Sequence, residues 1–168
     1  MTLSMYQTAV PVTVRALENL AHVLKKGTDH AAVKSVTDQT LLQTRLITDM
    51  LPLVKQVQIA TDTAKNGLAR LAAVEPMKIE DDETTFEQLQ ARIARVIEYI
   101  KSFKPEQIDG SEERAVTLKT AGGEVQFKGQ TYLLHFVIPN LYFHCATAYN
   151  ILRESGAELG KKDFLGNA

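Results

Sequence analysis

Two helical stretches carry polar side chains in pairs at a spacing that could do chemistry. Gln58 and Asp62 are four residues apart in one, and Asn140 and His144 are four apart in the other. Residues four apart share a helix face. Gln58 and Asp62 stand among Val57, Ile59 and Ala60. An unpaired buried polar group costs about 1–3 kcal/mol, so each of these groups needs a partner. A fold that turns the two faces toward each other assembles Gln58, Asp62, Asn140 and His144 as one cluster. Such a cluster either fixes helix register through hydrogen bonds or lines a pocket for a small ligand or a metal.

The other reactive residue types point elsewhere. His22 and His30 read as surface histidines. His135 precedes His144 by nine residues, which puts the two rings on opposite sides of one straight helix, so they cannot share a metal. Cys145 points about 100° away from His144 and reads as a small core residue. The sequence has no H-E-x-x-H motif, Cys/His cluster, Ser-His-Asp order, P-loop or G-x-G-x-x-G.

These side chains need a frame, and the bulk numbers allow one. The chain has 168 residues, 45% hydrophobic and 23% charged, with a net charge of −1. That is the size and balance of a single domain, residues 1–168, with its own core. No excess of Lys and Arg suggests nucleic acid. No apolar run approaches the roughly 20 residues that span a bilayer, and Met1 to Val14 has no basic segment of a secretory leader. One cysteine permits no internal disulfide, so a cytoplasmic location is expected.

Apolar spacing predicts helices over 3–26, 53–74, 85–102 and 130–154. Gly27 is expected to end the first of these, and Pro11 to kink it near Met5 and Tyr6. Asp29 and Asp38 are expected to cap two short helices, the second carrying Leu41, Leu42, Leu46 and Ile47. Thr84 and Glu87 form a capping box for the third long helix. Glu80 to Glu83 reads as a solvated acidic loop. Val116 and Leu118, then Val125 and Phe127, alternate with polar residues around Ala121, Gly122 and Gly123, which predicts a β-hairpin. Phe164 and Leu165 are expected to anchor the tail. The fold class is therefore all-α: an antiparallel four-helix bundle with short accessory helices and a small hairpin before the last helix.

The last helix is apolar almost all round. From Thr131 to Tyr149, nineteen residues, there is no Lys, Arg, Asp or Glu. One bundle covers a stripe only somewhat wider than 100°. Surface that includes Leu133, Val137, Leu141 and Tyr142 then needs another cover, and a homodimer is expected to supply it.

Three segments resemble a known family. FVIPNLYFHCATAYNILRESG at 136–156 with GKKDFLG at 160–166, LPLVKQVQIATDTAKNGLARLA at 51–72, and LSMYQTAVPVTVRALENL at 3–20 are similar to an uncharacterised bacterial family of the DinB-like (YfiT-like) superfamily. The resemblance implies a four-helix bundle, often dimeric. It also implies a divalent metal on three histidines, one on the second helix and an H-x-x-x-H pair on the last. Some members are thiol-dependent transferases or isomerases. Here His144 matches the second histidine of the pair, Asn140 stands at the first, and Gln58 or Asp62 lies nearest the third. With two of three ligands replaced, no zinc, nickel or other cofactor is expected. A hard divalent ion on Asp62, Asn140 and His144 is the remaining metal option. The expected function is a dimeric binding protein with a degenerate metal site and a small-molecule ligand. The alternatives are a divergent metal-dependent transferase or hydrolase using His144, and an interaction or stress-associated protein with no small-molecule site.

Overall fold

The computed structural model describes residues 3–120 and 122–166. Helix α1 runs from Met5 to Lys34. It is followed by a short α2 (Asp38–Leu42), α3 (Leu53–Leu71), α4 (Phe86–Lys101) and a single turn α5 (Pro105–Ile108). Strands β1 (Ala115–Thr120) and β2 (Gly123–Lys128) pair antiparallel, with Val116 opposite Phe127 and Leu118 opposite Val125. Ala121, expected in the turn, lies outside the described residues. The chain then continues through α6 (Gly129–Tyr132), a π-helical turn (Leu133–Val137), α7 (Ile138–Glu154) and α8 (Lys161–Leu165). The chain is mostly helical with one two-stranded hairpin. α1 packs on α4 and α7, and α3 packs on α7 and α4. No helix among the described residues is long and apolar enough to cross a membrane.

Local signals explain most boundaries. Ser4 and Gln7 exchange bonds as a capping box at the start of α1. The box at α4 is Thr85 with Gln88, one residue later than Thr84 and Glu87. Gln88 Oε1 accepts from the backbone N–H groups of both Thr84 and Thr85, which settles the register. Phe86, Leu89, Ile93, Val96, Ile97 and Ile100 of α4 are buried, as their spacing requires. Burying one such side chain fully contributes about 1.5–3 kcal/mol.

The first half of the chain departs from expectation in two places. Gly27 does not end α1, and Asp29 caps nothing, because the helix continues to Lys34 and Ser35 takes the left-handed cap at φ 54°. Gly27 is instead a contact site: a Cβ there would come within 2.8 Å of the Leu152 side chain on α7. Thr37, not Asp38, caps α2, which stops at Leu42 and leaves Ile47 exposed. The Asp38 carboxylate accepts the Phe86 N–H at 2.9 Å, joining α2 to the start of α4.

The last helix holds a π turn directly before Pro139. The Ile138 N–H reaches back five residues to the Leu133 carbonyl. Proline has no N–H to continue the ladder, and a π turn absorbs the irregularity with one extra residue. Gly67 of α3 lies against this turn, where a Cβ would meet Val137 at 2.7 Å. Leu133, Val137 and Leu141 are fully buried by their own chain, against the expectation that they need another subunit. Leu134, Tyr142 and Phe143 are the exposed apolar residues of this helix. In the tail, Phe164 packs against the rings of Tyr142 and Tyr149, while Leu165 is exposed, so the anchor is Phe164 alone.

Candidate functional site

α3 presents polar side chains in two rows. At about 100° per residue, Gln56, Thr63 and Arg70 recur every seven residues and fall in one row, with Asn66 beside it. Gln58, Asp62 and Lys65 fall in a second row, roughly a third of a turn away.

The first row meets the last helix. Asn140 Nδ2 donates to Thr63 Oγ1 at 3.0 Å, and His144 Nδ1 lies 2.7 Å from Gln56 Oε1. Gln56 Nε2 donates to the Leu51 carbonyl at 2.9 Å, which fixes which end of the amide faces the histidine. An amide oxygen can only accept, so His144 carries its proton on Nδ1. The ring is buried, and burial pushes its pKa below the ordinary 6.5. His144 is therefore a neutral donor at pH 7. Thr147, on the same face, bonds the Phe143 carbonyl of its own helix.

The second row meets α4 and the acidic loop. The Arg92 side chain is 1% exposed. Its Nε donates to Thr61 Oγ1 at 2.7 Å and Nη2 to Asp62 Oδ1 at 2.9 Å. Its Nη1 reaches the Glu80 carbonyl and Glu83 Oε1, both at 3.0 Å, and Asp81 at 3.1 Å. Gln58 Nε2 donates to Glu83 Oε2 at 2.7 Å. Lys65 and Lys55 pair with Asp62 and Asp81. Three carboxylates thus face three cations, with Arg92, Lys65 and Glu83 buried and Asp62, Asp81 and Lys55 partly exposed. Glu80, Asp81 and Asp82 are exposed, as expected of a solvated loop, while Glu83, with its side chain only 7% exposed, pins the loop to Arg92.

The four residues singled out in the sequence are therefore held in two separate sets. Gln58 and Asp62 are joined through Glu83 and Arg92, while Asn140 and His144 are held by Thr63 and Gln56. Arg92 and Gln56 escaped notice, although each left a trace. Arg92 sits within the apolar stripe of Leu89, Ile93 and Val96, where a charge must be paired. Gln56 begins the seven-residue row. The remaining histidines lie apart. His22 donates to Asp163 at 2.8 Å, His30 Nε2 bonds the Ser155 carbonyl at 3.0 Å, and His135 is exposed.

Asp62 and Asn140 meet again at the surface, in a cleft of about 220 Å³. Asn66, Arg70, Tyr132 and Phe136 complete its walls, and the Leu118–Thr120 end of β1 borders it. The Tyr132 and Phe136 rings stack at 5.7 Å, 15° from parallel, and both contact Phe127 of β2. Arg70 Nη1 donates to the Tyr132 phenol at 3.1 Å. Burial raises the Tyr132 pKa, and the Arg70 charge and hydrogen bond oppose that rise. The π turn carries Phe136 into this wall, a placement π turns often have at functional sites.

A family model for a domain of unknown function, DUF1993, matches residues 5–165. The chain belongs to the DUF1993 family. Among solved structures it is similar to a DinB family member protein from Shewanella denitrificans, determined at 1.83 Å resolution. That match has a TM-score of 0.87 and 38% identity, and it covers 97% of this chain and 92% of the other. No curated protein matches it.

The residues of this DUF1993 member do not fit the three-histidine metal centre that the DinB-like resemblance implies. α3 contains no histidine. The Asn140 amide is engaged by Thr63, and the Asp62 carboxylate faces Arg92 and Lys65. Among the described residues, no group of three or more His, Cys, Asp or Glu side chains is placed to hold a metal ion. Cys145 is buried away from this chemistry, and burial pushes its thiol pKa up to about 12.

Proposed function

We propose that this protein is a cytoplasmic, homodimeric, small-molecule-binding member of the DinB-like superfamily, a single domain built as an antiparallel four-helix bundle with a degenerate metal site. The reading rests chiefly on the cleft beside Asp62 and Asn140. It combines an aromatic wall with convergent amides and one half-buried cation, the usual make-up of a ligand site. The packing of α1 and α3 on both α4 and α7 supports the bundle. The single buried cysteine supports a reducing compartment.

The dimer is supported by what remains uncovered on the last helix. Leu134 and Tyr142 are eight residues apart, and the extra residue of the π turn brings them near one face. Phe143 lies beside Tyr142 and is 55% exposed. No charged side chain interrupts this stretch.

A fragment screen read by protein NMR tests the binding function. The expected result is that small aromatic or polar fragments shift the side-chain amides of Asn66 and Asn140, while the purified protein carries no stoichiometric metal. Fragments that leave both amides unmoved would sink the reading. So would a stoichiometric transition metal that disappears in His144→Ala.

A further inference from the structure

Arg70 is half-buried at the rim of the cleft, and among the described residues its side chain bonds only the Tyr132 phenol. No carboxylate among the described residues pairs with it. A phenol takes one of the five guanidinium N–H groups and supplies no charge, so most of the fork stays unused. Every other cation of the neighbouring network is matched: Arg92 by Asp62, Asp81 and Glu83, Lys65 by Asp62, and Lys55 by Asp81. Arg70 stands in the last turn of α3, where the helix dipole favours a positive charge. That accounts for its sign and leaves its donors unspent. Lys119 of β1, which stands opposite Glu124 in the hairpin and makes no ion pair among the described residues, lines the same cleft.

We propose that the cleft binds a small aromatic oxyanion, with its carboxylate or phosphate on the Arg70 fork and its ring against Phe136, which the buried Tyr132 ring backs from behind. The hydrogen bond from Arg70 to the Tyr132 phenol fixes the guanidinium beside the aromatic wall, which pre-orients it for bidentate contact. Lys119 adds charge from the hairpin side. Asn66, whose Oδ1 accepts from Lys65, and Asn140, whose Nδ2 donates to Thr63, line the same cleft with the other half of each amide left for polar substituents. Asp62 lines the cleft as well, but Arg92 and Lys65 meet its charge, so it does not repel the anion strongly. The volume of about 220 Å³ limits the ligand to roughly one ring and its head group. This inference rests on the binding function proposed above and adds the charge and class of the ligand.

The test uses four probes of similar shape: benzoate, phenyl phosphate, neutral benzamide and cationic benzamidine. Each is titrated into the full chain and followed through the Asn66 and Asn140 side-chain amides. Benzoate or phenyl phosphate should bind at least about tenfold more tightly than benzamide, a difference of about 1.4 kcal/mol. Whichever anion binds more tightly identifies the head group. Benzamidine should bind weakest. Arg70→Met should abolish the preference for the anion over benzamide, and Arg70→Lys, which keeps the charge and loses the fork, should reduce it several-fold. Far-UV circular dichroism confirms that each variant is folded, and the wild-type comparison stands without them. Equal binding of all four probes at the cleft would overturn the anion inference and leave the binding function intact. So would an anion preference that survives Arg70→Met. No shift with any probe would overturn both.

Discussion

Replacing Arg92 with methionine should cost more stability than any other single change on α4. The guanidinium is 1% exposed and makes close contacts with Thr61, Glu80, Glu83, Asp62 and Asp81. Methionine fills much of the space and removes the charge. Asp62 keeps Lys65, and Asp81 keeps Lys55. Glu83 keeps only the amide of Gln58, with its side chain 7% exposed. Removing one partner of a buried ion pair costs about 3–5 kcal/mol, because the remaining charge is left unmatched. For a chain of this length each kcal/mol moves Tm by about 2–4 °C, so the loss should be on the order of 6–20 °C. Urea unfolding followed by circular dichroism measures it directly. A further result separates lost charge pairing from lost packing. Adding Glu83→Gln to Arg92→Met should recover at least about 1 kcal/mol, since the orphaned charge is gone. A cost below about 1 kcal/mol, or strict additivity in the double variant, would refute this account of the network.

Other expectations follow from the same contacts. Folding holds the His144 pKa below 6.5, so on acidification the unfolded chain takes up its proton first. Stability should be flat above about pH 6.5 and fall below it, and His144→Gln should remove that fall in urea titrations at stepped pH. Asn140→Leu should cost less than about 1 kcal/mol, because Asn140 and its partner Thr63 are only half-buried; a loss of 3 kcal/mol would mean the amide is more central than its one bond implies. Gly67→Ala should destabilise by about 1–3 kcal/mol through overpacking against Val137, and Val137→Ala in the same chain should relieve part of the loss. Light scattering at micromolar concentration should report twice the 18.6 kDa chain mass, with Phe143→Glu returning a monomer; wild-type protein at the single-chain mass would end the dimer proposal. Cys145 should resist alkylation at pH 8 in the native state, since its thiol stays protonated.

The parts of the fold legible in the sequence are those where one local signal had no competitor. α4 has an apolar stripe that sets its extent, and only its capping box, Thr85 with Gln88 rather than Thr84 with Glu87, moved by one residue. The hairpin alternates apolar and polar residues on either side of two glycines. The expectations that missed relied on a local rule that a tertiary contact overrode. A glycine after two lysines looks like a helix end, but Leu152 needs the space beside Gly27 and the helix runs on to Lys34. Leu46 and Ile47 look like a continuing helix face. The chain turns there instead, with Arg45 donating to the Met50 carbonyl at 2.7 Å and the Thr44 carbonyl accepting the Leu53 N–H at 3.0 Å.

The site was harder to read for a geometric reason. A spacing of four marks a shared face without saying which neighbour that face meets. On α3 the spacing of four joins Gln58 to Asp62, and that row turns toward Arg92. The spacing of seven joins Gln56, Thr63 and Arg70, and that row turns toward Asn140 and His144. Seven residues fall about 20° short of two full turns, so the longer spacing tracks one face over more of the helix. α3 packs on both α4 and α7, so it must have two inner faces, and polar residues on each must find partners on different helices. The sequence holds one cue to the division. Gln58, Asp62 and Lys65 share a row rich in charge, which needs an opposite charge on the facing helix. Arg92 stands inside the apolar stripe of α4, whereas the last helix offers no charge at all between Thr131 and Tyr149. Matching charge before matching face assigns Asp62 to α4 and leaves the row of Gln56, Thr63 and Arg70, which holds no carboxylate, for the last helix and the cleft.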